Sequence, residues 1–460
     1  MNVLAPCFDA LRAAAATGGE WFGVPPPEEF RGIFTDTRKP VPGACFLALR
    51  GERFDAHDHL HEAVAGGAAL LCVERASLAK APKGVPLLVV DDTLRAFQSL
   101  AALHRESFAQ LPLAGVTGSV GKTSVKEMLR AIFAEAAGGD EFVLATEGNT
   151  NNQVGVPLNL LRLAPEHRYA VIEMGTNHHG EIEPLSRCAR PKCAIVNTIA
   201  PCHLEAFLDL DGVAREKSHI FDGVGPDGVA VLPYEVPGIG ILLRAAGKRR
   251  ILRFGSDPRA DFRAIYRGGA MEESEFTLRF PDGRGFDIRW SLAGGHQAVN
   301  AAGAAAVASG FGIAPEVIAS GLRRTRLPGM RNRVTRIDGV DFINDAYNAN
   351  PASMRSAFDY LAGFADPSKL VLVLGGMREL GPGSETEHRE LRLLARRRFP
   401  GAVLVLIGPE FTDPGDETHF DTSAEAREFV RAAAKPGFTV FAKGSFGTAT
   451  WKALPPEAQG

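Results

Sequence analysis

Residues 115–124 read Gly115-Val116-Thr117-Gly118-Ser119-Val120-Gly121-Lys122-Thr123-Ser124, a glycine-rich turn that ends in Gly-Lys-Thr. The apolar run Leu111 to Val116 before it predicts a buried strand. After it, Val125, Met128, Leu129, Ile132 and Phe133 recur at helical spacing, and Gly138-Gly139 closes that helix. Strand, glycine turn and helix are the setting of a phosphate-binding loop. Its backbone N–H groups approach phosphate oxygens, and the helix N-terminus favours their charge. Gly118, Ser119, Val120, Gly121, Lys122, Thr123 and Ser124 are therefore candidate phosphate-binding residues. Lys122 would reach the outer phosphates and the Thr123 hydroxyl would bind Mg²⁺. The common pattern needs a glycine where Val116 stands; here the glycines fall at 115, 118 and 121, so this is a variant loop.

Composition narrows the classes. A chain of 460 residues holds two to four domains at ~100–200 residues each. Its net charge of −3 announces no nucleic acid or acidic lipid as partner. No apolar run approaches the ~18–20 residues of a membrane span, and the N-terminus lacks a signal-peptide layout, so a cytoplasmic protein is expected. The cysteines at 7, 45, 72, 188, 193 and 202 complete no zinc site; Cys45 and Cys72 read as core residues.

Strands and helices alternate throughout, predicting an α/β protein of three domains. Residues 1–109 form a small α/β domain, with strands at Ile33-Phe34, Ala44–Leu49, Ala68–Val73 and Leu87–Val90 and helices at 56–65 and 93–108. Polar clusters around Thr35-Asp36-Thr37-Arg38 and Arg50 to His57 follow strands, where α/β folds place ligand groups. Residues 110–326 form a central parallel sheet around the glycine loop, with an added hairpin near Asp282-Gly283. Within it, Glu173 ends a strand, and His203 lies in the loop after the next one. Lys217 sits on a helix over 212–221 among other charges, where it reads as plain surface. Residues 327–460 form a Rossmann-like domain without a dinucleotide fingerprint, with helices near 384–398, 423–434 and 446–454.

Taken in order, these motifs resemble the Mur ligase family, and specifically its dipeptide-adding branch, over nearly the whole chain. Thr117 to Thr123 is similar to that family's ATP loop, and Asn344-Asp345-x-Tyr347-Asn348-Ala349-Asn350-Pro351 is the most selective match. The resemblance implies an ATP-dependent ligase that joins D-alanyl-D-alanine to UDP-N-acetylmuramoyl-tripeptide through an acyl phosphate. That is the last cytoplasmic step of peptidoglycan precursor synthesis. By resemblance, Lys122, Lys217 and His203 are catalytic. Thr123, Glu173, His203 and a carbamylated Lys217 hold Mg²⁺, and His296, Asn300, Arg331 and Asp345 contact ATP. Thr35, Asp36, Arg38, Arg50, His57, Asn149, Asn151 and Asn152 bind the UDP-sugar peptide, and Asn348 and Asn350 the dipeptide. ATP and Mg²⁺ are the implied cofactors and a monomer is expected.

The chain departs from the family pattern at Gln297, usually Asn, at Gly376, usually Asp, and at Phe446, usually Arg. Another ligase of the superfamily, such as a folylpolyglutamate synthase, and a P-loop nucleotide switch are the alternative readings. The 344–351 loop and the N-terminal domain speak against the first, and His203 and Lys217 against the second.

Overall fold

Strand Leu113–Thr117 is buried at every residue, as befits the interior of a sheet covered on both faces. In the computed structural model, which describes residues 6–459, it lies inside a nine-stranded sheet. From one edge the order is Gly285–Trp290, Ser274–Arg279, Phe262–Gly269, Arg250–Gly255, Val229–Pro233, Cys193–Val196, Leu113–Thr117, Tyr169–Glu173 and Val143–Ala145. The strands from Val143–Ala145 to Phe262–Gly269 are parallel, and the expected hairpin extends that sheet as two antiparallel edge strands. Parallel register aligns the strand ends, so Thr117 pairs with Val196 and Glu173 with Val116. The turns that leave these strands therefore converge on one edge.

The helix Lys122–Ala137 follows the glycine loop and buries Val125, Met128, Leu129, Ile132 and Phe133 against the sheet. The Ala-rich helix Gly295–Gly310 packs into the same core, its alanines from 301 to 308 almost wholly buried. Small side chains let it lie close enough to bring residues 296–300 to the glycine loop.

The N-terminal sheet has five strands, in the order Glu20–Gly23, Pro86–Val90, Leu70–Glu74, Cys45–Leu47 and Ile33–Phe34, all parallel except the first. One apolar cluster runs from Leu47, Leu88 and Phe97 of this region to Leu160, Ile182 and Phe221 of the central one. Helix Thr93–Glu106 carries that continuity. The last sheet has six strands, in the order Arg333–Ile337, Val340–Asn344, Thr439–Lys443, Leu370–Gly375, Val403–Ile407 and Thr418–Phe420, and has an apolar cluster on each face.

The stretch 446–454, expected as a helix, forms two short 3₁₀ turns, Phe446–Thr448 and Thr450–Ala453. Ala449 between them has φ +52°, which no continuous right-handed helix tolerates. Similarly, 56–65 begins as a 3₁₀ turn at Ala56–His59, and the helix at 212–221 runs Leu210–Ser218 and ends in another. Cys45 and Cys72 are core residues as expected.

Helix Pro315–Arg323 braces the helix that follows the glycine loop. A Cβ on Gly321 would lie 2.5 Å from Ile132 Cα and 2.9 Å from Ala131 O, both main-chain atoms. Gly→Ala inside a helix ordinarily stabilises by about 1 kcal/mol, whereas overpacking costs about 1–3 kcal/mol. The backbone contact should dominate: Gly321→Ala is expected to lower the urea midpoint with an unchanged m-value. A raised midpoint would show that the two helices are not closely packed.

Candidate active site

The glycine loop is held open by the turn that leaves strand Cys193–Val196. Ser119 N–H donates to Thr198 O (2.8 Å) and Val120 N–H to Thr198 Oγ1 (3.0 Å). Asn197 Nδ2 donates to Val120 O (2.9 Å) and to Asn300 Oδ1 (2.8 Å), and Asn300 Nδ2 donates to Gln297 Oε1 (3.1 Å). Gly118 and Gly121 have φ +149° and +82°, and side chains there would meet the Thr198 main chain and the two asparagines. Lys122 folds back so that Nζ donates to Gly118 O (2.8 Å). The Thr123 hydroxyl accepts from Arg331 Nη2 (3.2 Å), and Ser124 is buried one residue on. His296 opens the Ala-rich helix, and burial pushes its pKa down to about 4, with Asp345 and Lys443 acting in opposite directions. It lines a cavity of about 490 Å³ with Tyr266, Gly294, Asp359 and Tyr360.

Three candidate metal-binding groups have environments that suit the task. Glu173 is buried; its N–H donates to Thr146 Oγ1, and Oε1 accepts from Asn151 Nδ2 (2.8 Å). Its Oε2 is buried without a partner, as is Asn197 Oδ1. Unsatisfied buried oxygens are costly unless something occupies them, and hard oxygen donors are what Mg²⁺ prefers. Lys217 is 1% exposed. Its neighbour Glu216 accepts from the N–H groups of Gly180 (2.8 Å), Glu181 (3.0 Å) and Ile182 (2.9 Å), so that carboxylate is already committed. Burial, with the Lys122 ammonium nearby, lowers the Lys217 pKa from 10.5 to about 8, against the opposing influence of Cys202 and Glu216. His203 has φ +51°, and its Nδ1 contacts Glu379 of the C-terminal region. Contact with the His203 imidazole holds the Glu379 carboxyl below the usual carboxylate range.

The C-terminal candidates form one network. Arg331 lies over the Tyr347 ring (3.8 Å) while reaching Thr123. Asp345 pairs with buried Lys443 (2.6 Å), whose Nζ also donates to Asn348 O (3.1 Å). Asn348 Oδ1 accepts from Ala349 N–H, and Asn350 caps helix Pro351–Leu361 in a capping box with Ser353. At the departures, Gln297 bonds Asn300, the space a Gly376 side chain would need is taken by Glu410, and exposed Phe446 packs on Trp451.

The N-terminal candidates lie in a separate network. Arg38 pairs with Asp36 (2.8 Å) beside half-buried Thr35, and Arg50 pairs with Glu74 (2.9 Å) and Asp55 (3.4 Å). His57 is buried; Nδ1 meets Asp55 Oδ1 (2.6 Å) and Nε2 accepts from Glu74 N–H (3.0 Å). Both ring nitrogens are engaged, so His57 shapes the Arg50–Asp55 turn rather than offering a free nitrogen. Asn149 is exposed in the amide-rich loop, and Asn152 Oδ1 accepts from Val154 and Gly155 N–H. Sequence reading missed Asn197, Glu216 and Glu379, whose partners lie far away in sequence, and gave Lys443 no role although it stands in the Lys443-Gly444-Ser445 stretch before the Phe446 departure. Among the three missed, only Glu216 carried a signal, its adjacency to Lys217.

Gly121 gives a direct test of the loop geometry. Gly121→Ala requires a strained φ and displaces Asn197 and Asn300. With misplacement of this kind worth about 100-fold, kcat/KM for ATP should fall by that order while circular dichroism stays native. A near-normal value would show that the loop has room to spare.

Comparison with known proteins places this geometry. The Mur ligase middle domain matches residues 116–308, and the Mur ligase glutamate ligase domain matches 330–446. The chain is 38% identical over 423 residues to the UDP-N-acetylmuramoyl-tripeptide–D-alanyl-D-alanine ligase of Escherichia coli, covering 90% of each chain. It is 36% identical to the enzyme of the same name from Bacillus subtilis, over 78% of this chain and 76% of that one. The crystal structure of MurF from Acinetobacter baumannii superposes with a TM-score of 0.89 at 34% identity over the whole of both chains. The chain belongs to the Mur ligase family.

Proposed function

We propose that this protein is an ATP-dependent ligase that joins D-alanyl-D-alanine to UDP-N-acetylmuramoyl-tripeptide, giving the pentapeptide precursor, ADP and phosphate. The observation that carries the reading is Lys217, a buried lysine with a lowered pKa beside the glycine loop. A nucleotide switch has no need of a second buried amine next to its phosphate lysine. The relatives' shared name supports this branch over other ligases of the superfamily.

In the first step the peptide carboxylate attacks the γ-phosphorus, the bond to the β-phosphate oxygen breaks, and an acyl phosphate forms. Two anions approach one another, so cationic groups must neutralise them. Lys122 leaves Gly118 O and turns to the outer phosphates. Arg331 and the Lys443–Asp345 pair bring the C-terminal sheet over the loop and shield the acyl phosphate from water. In the second step the dipeptide amine adds to the acyl carbon and gives up a proton to solvent or the departing phosphate, phosphate leaves with its electron pair, and the amide remains.

Thr123 Oγ1, Glu173 Oε2, His203 and a carbamylated Lys217 fit Mg²⁺ as a mainly oxygen donor set. When bound, Mg²⁺ supplies positive charge at the transferring phosphoryl group. Carbamylation requires a neutral amine to attack CO₂. A pKa of about 8 provides that amine near neutral pH, and the product is an anion where an ammonium would repel the metal. The glutamate's three amide contacts hold this turn of the helix in place for it.

Lys217→Ala should reduce dipeptide-dependent phosphate release by about 100-fold or more, the scale of losing one electrostatic contact in such a site. Short carboxylates such as acetate should restore part of the rate. Full activity in the unrescued variant would refute the role of Lys217.

A further inference from the structure

His203 and Glu379 come from different parts of the fold. His203 lies in the loop after strand Cys193–Val196, and Glu379 in the turn after strand Leu370–Gly375 of the C-terminal sheet. Both are non-glycine residues in the left-handed region, at φ +51° and +64°. Such conformations are uncommon and persist where the surroundings enforce them. Here the two side chains meet, the imidazole mostly covered and the carboxylate half exposed. His203 Nδ1 is buried and meets no hydrogen-bond partner of regular geometry, and the charged group in contact with it is Glu379 Oε2. Leu204 N–H donates to the Glu379 main-chain oxygen (3.0 Å), and Gly381 rests against Glu205. Phe207 borders the imidazole edge-on at 6.2 Å.

A carboxylate only accepts hydrogen bonds, so Glu379 can engage the ring only through an N–H at Nδ1, and Nε2 is the nitrogen left to face a metal. A carboxylate on the far nitrogen is how proteins fix the tautomer and ring orientation of a metal-binding histidine. Resting on the function proposed above, we infer that Glu379 is a positioning residue. It is supplied by the C-terminal domain, and it orients His203 of the central domain for metal binding only while the two domains are together. Nucleotide hydrolysis would then be coupled to closure, because His203 is oriented only in the arrangement that also places Arg331 on Thr123.

Glu379→Ala isolates this role, since the main-chain bond from Leu204 remains. The expected result is a 10- to 100-fold loss in kcat, the usual effect of removing such a partner. KM for ATP and for the UDP-linked substrate should be near normal, and the melting temperature unchanged. Glu379→Gln keeps an acceptor for Nδ1–H and should recover most of the rate. Long-range ¹⁵N spectra of histidine-labelled protein without ligands, with His203 assigned by its loss in His203→Gln, should show the Nδ1-protonated form. That form should be kept in Glu379→Gln and lost in Glu379→Ala. An unchanged His203 signal or an unchanged kcat in Glu379→Ala would overturn the inference. Wild-type protein without dipeptide-dependent phosphate release would instead overturn the ligase reading, whatever Glu379 does.

Discussion

The site depends on a glycine loop whose shape is fixed by its neighbouring strand. Asn197 and Thr198 hold Ser119 and Val120 from one side, while Asn300 reaches the same asparagine from the Ala-rich helix. Gly118 and Gly121 are the residues that permit those approaches. Because the sheet is parallel and in register, the ends of three neighbouring strands supply the loop, Glu173 and the turn leading to His203. A slip of one strand would remove Glu173, with its unpartnered buried oxygen, from the loop's reach.

Charge is arranged around that loop by withholding partners. Glu216 is beside Lys217 in sequence, yet three main-chain amides occupy its carboxylate. Glu173 has one oxygen satisfied by Asn151 and the other left bare. Lys443 is the opposite case: a buried lysine paired with Asp345 and used to hold the C-terminal loop. Lysines of similar burial thus have different surroundings, set by whether a carboxylate is available to each.

The strand, loop and helix at 111–139 were legible because period and turn chemistry are local. Glu173 and Thr123 could be placed for the same reason, each at the end of a recognisable element. Lys217 was not legible from its own neighbourhood, where Arg215, Glu216 and His219 suggest a solvated face; only the family resemblance singled it out. Its burial comes from packing against distant elements. The amide-rich motifs show the reverse ambiguity. Asn152 and Asn350 cap turns and helices, while Asn151 in the same motif orients Glu173. Local sequence does not separate those uses. The Glu379–His203 contact joins two domains and leaves no local pattern.

The central claim is that ATP cleavage is tied to joining two substrates. Phosphate release measured with each substrate omitted in turn, together with the mass of the UDP-linked product, tests it directly. The account predicts sustained release only when the tripeptide nucleotide and D-alanyl-D-alanine are both present, with a product heavier by one dipeptide less water. Sustained release that ignores the dipeptide, or an unchanged product mass, would contradict it.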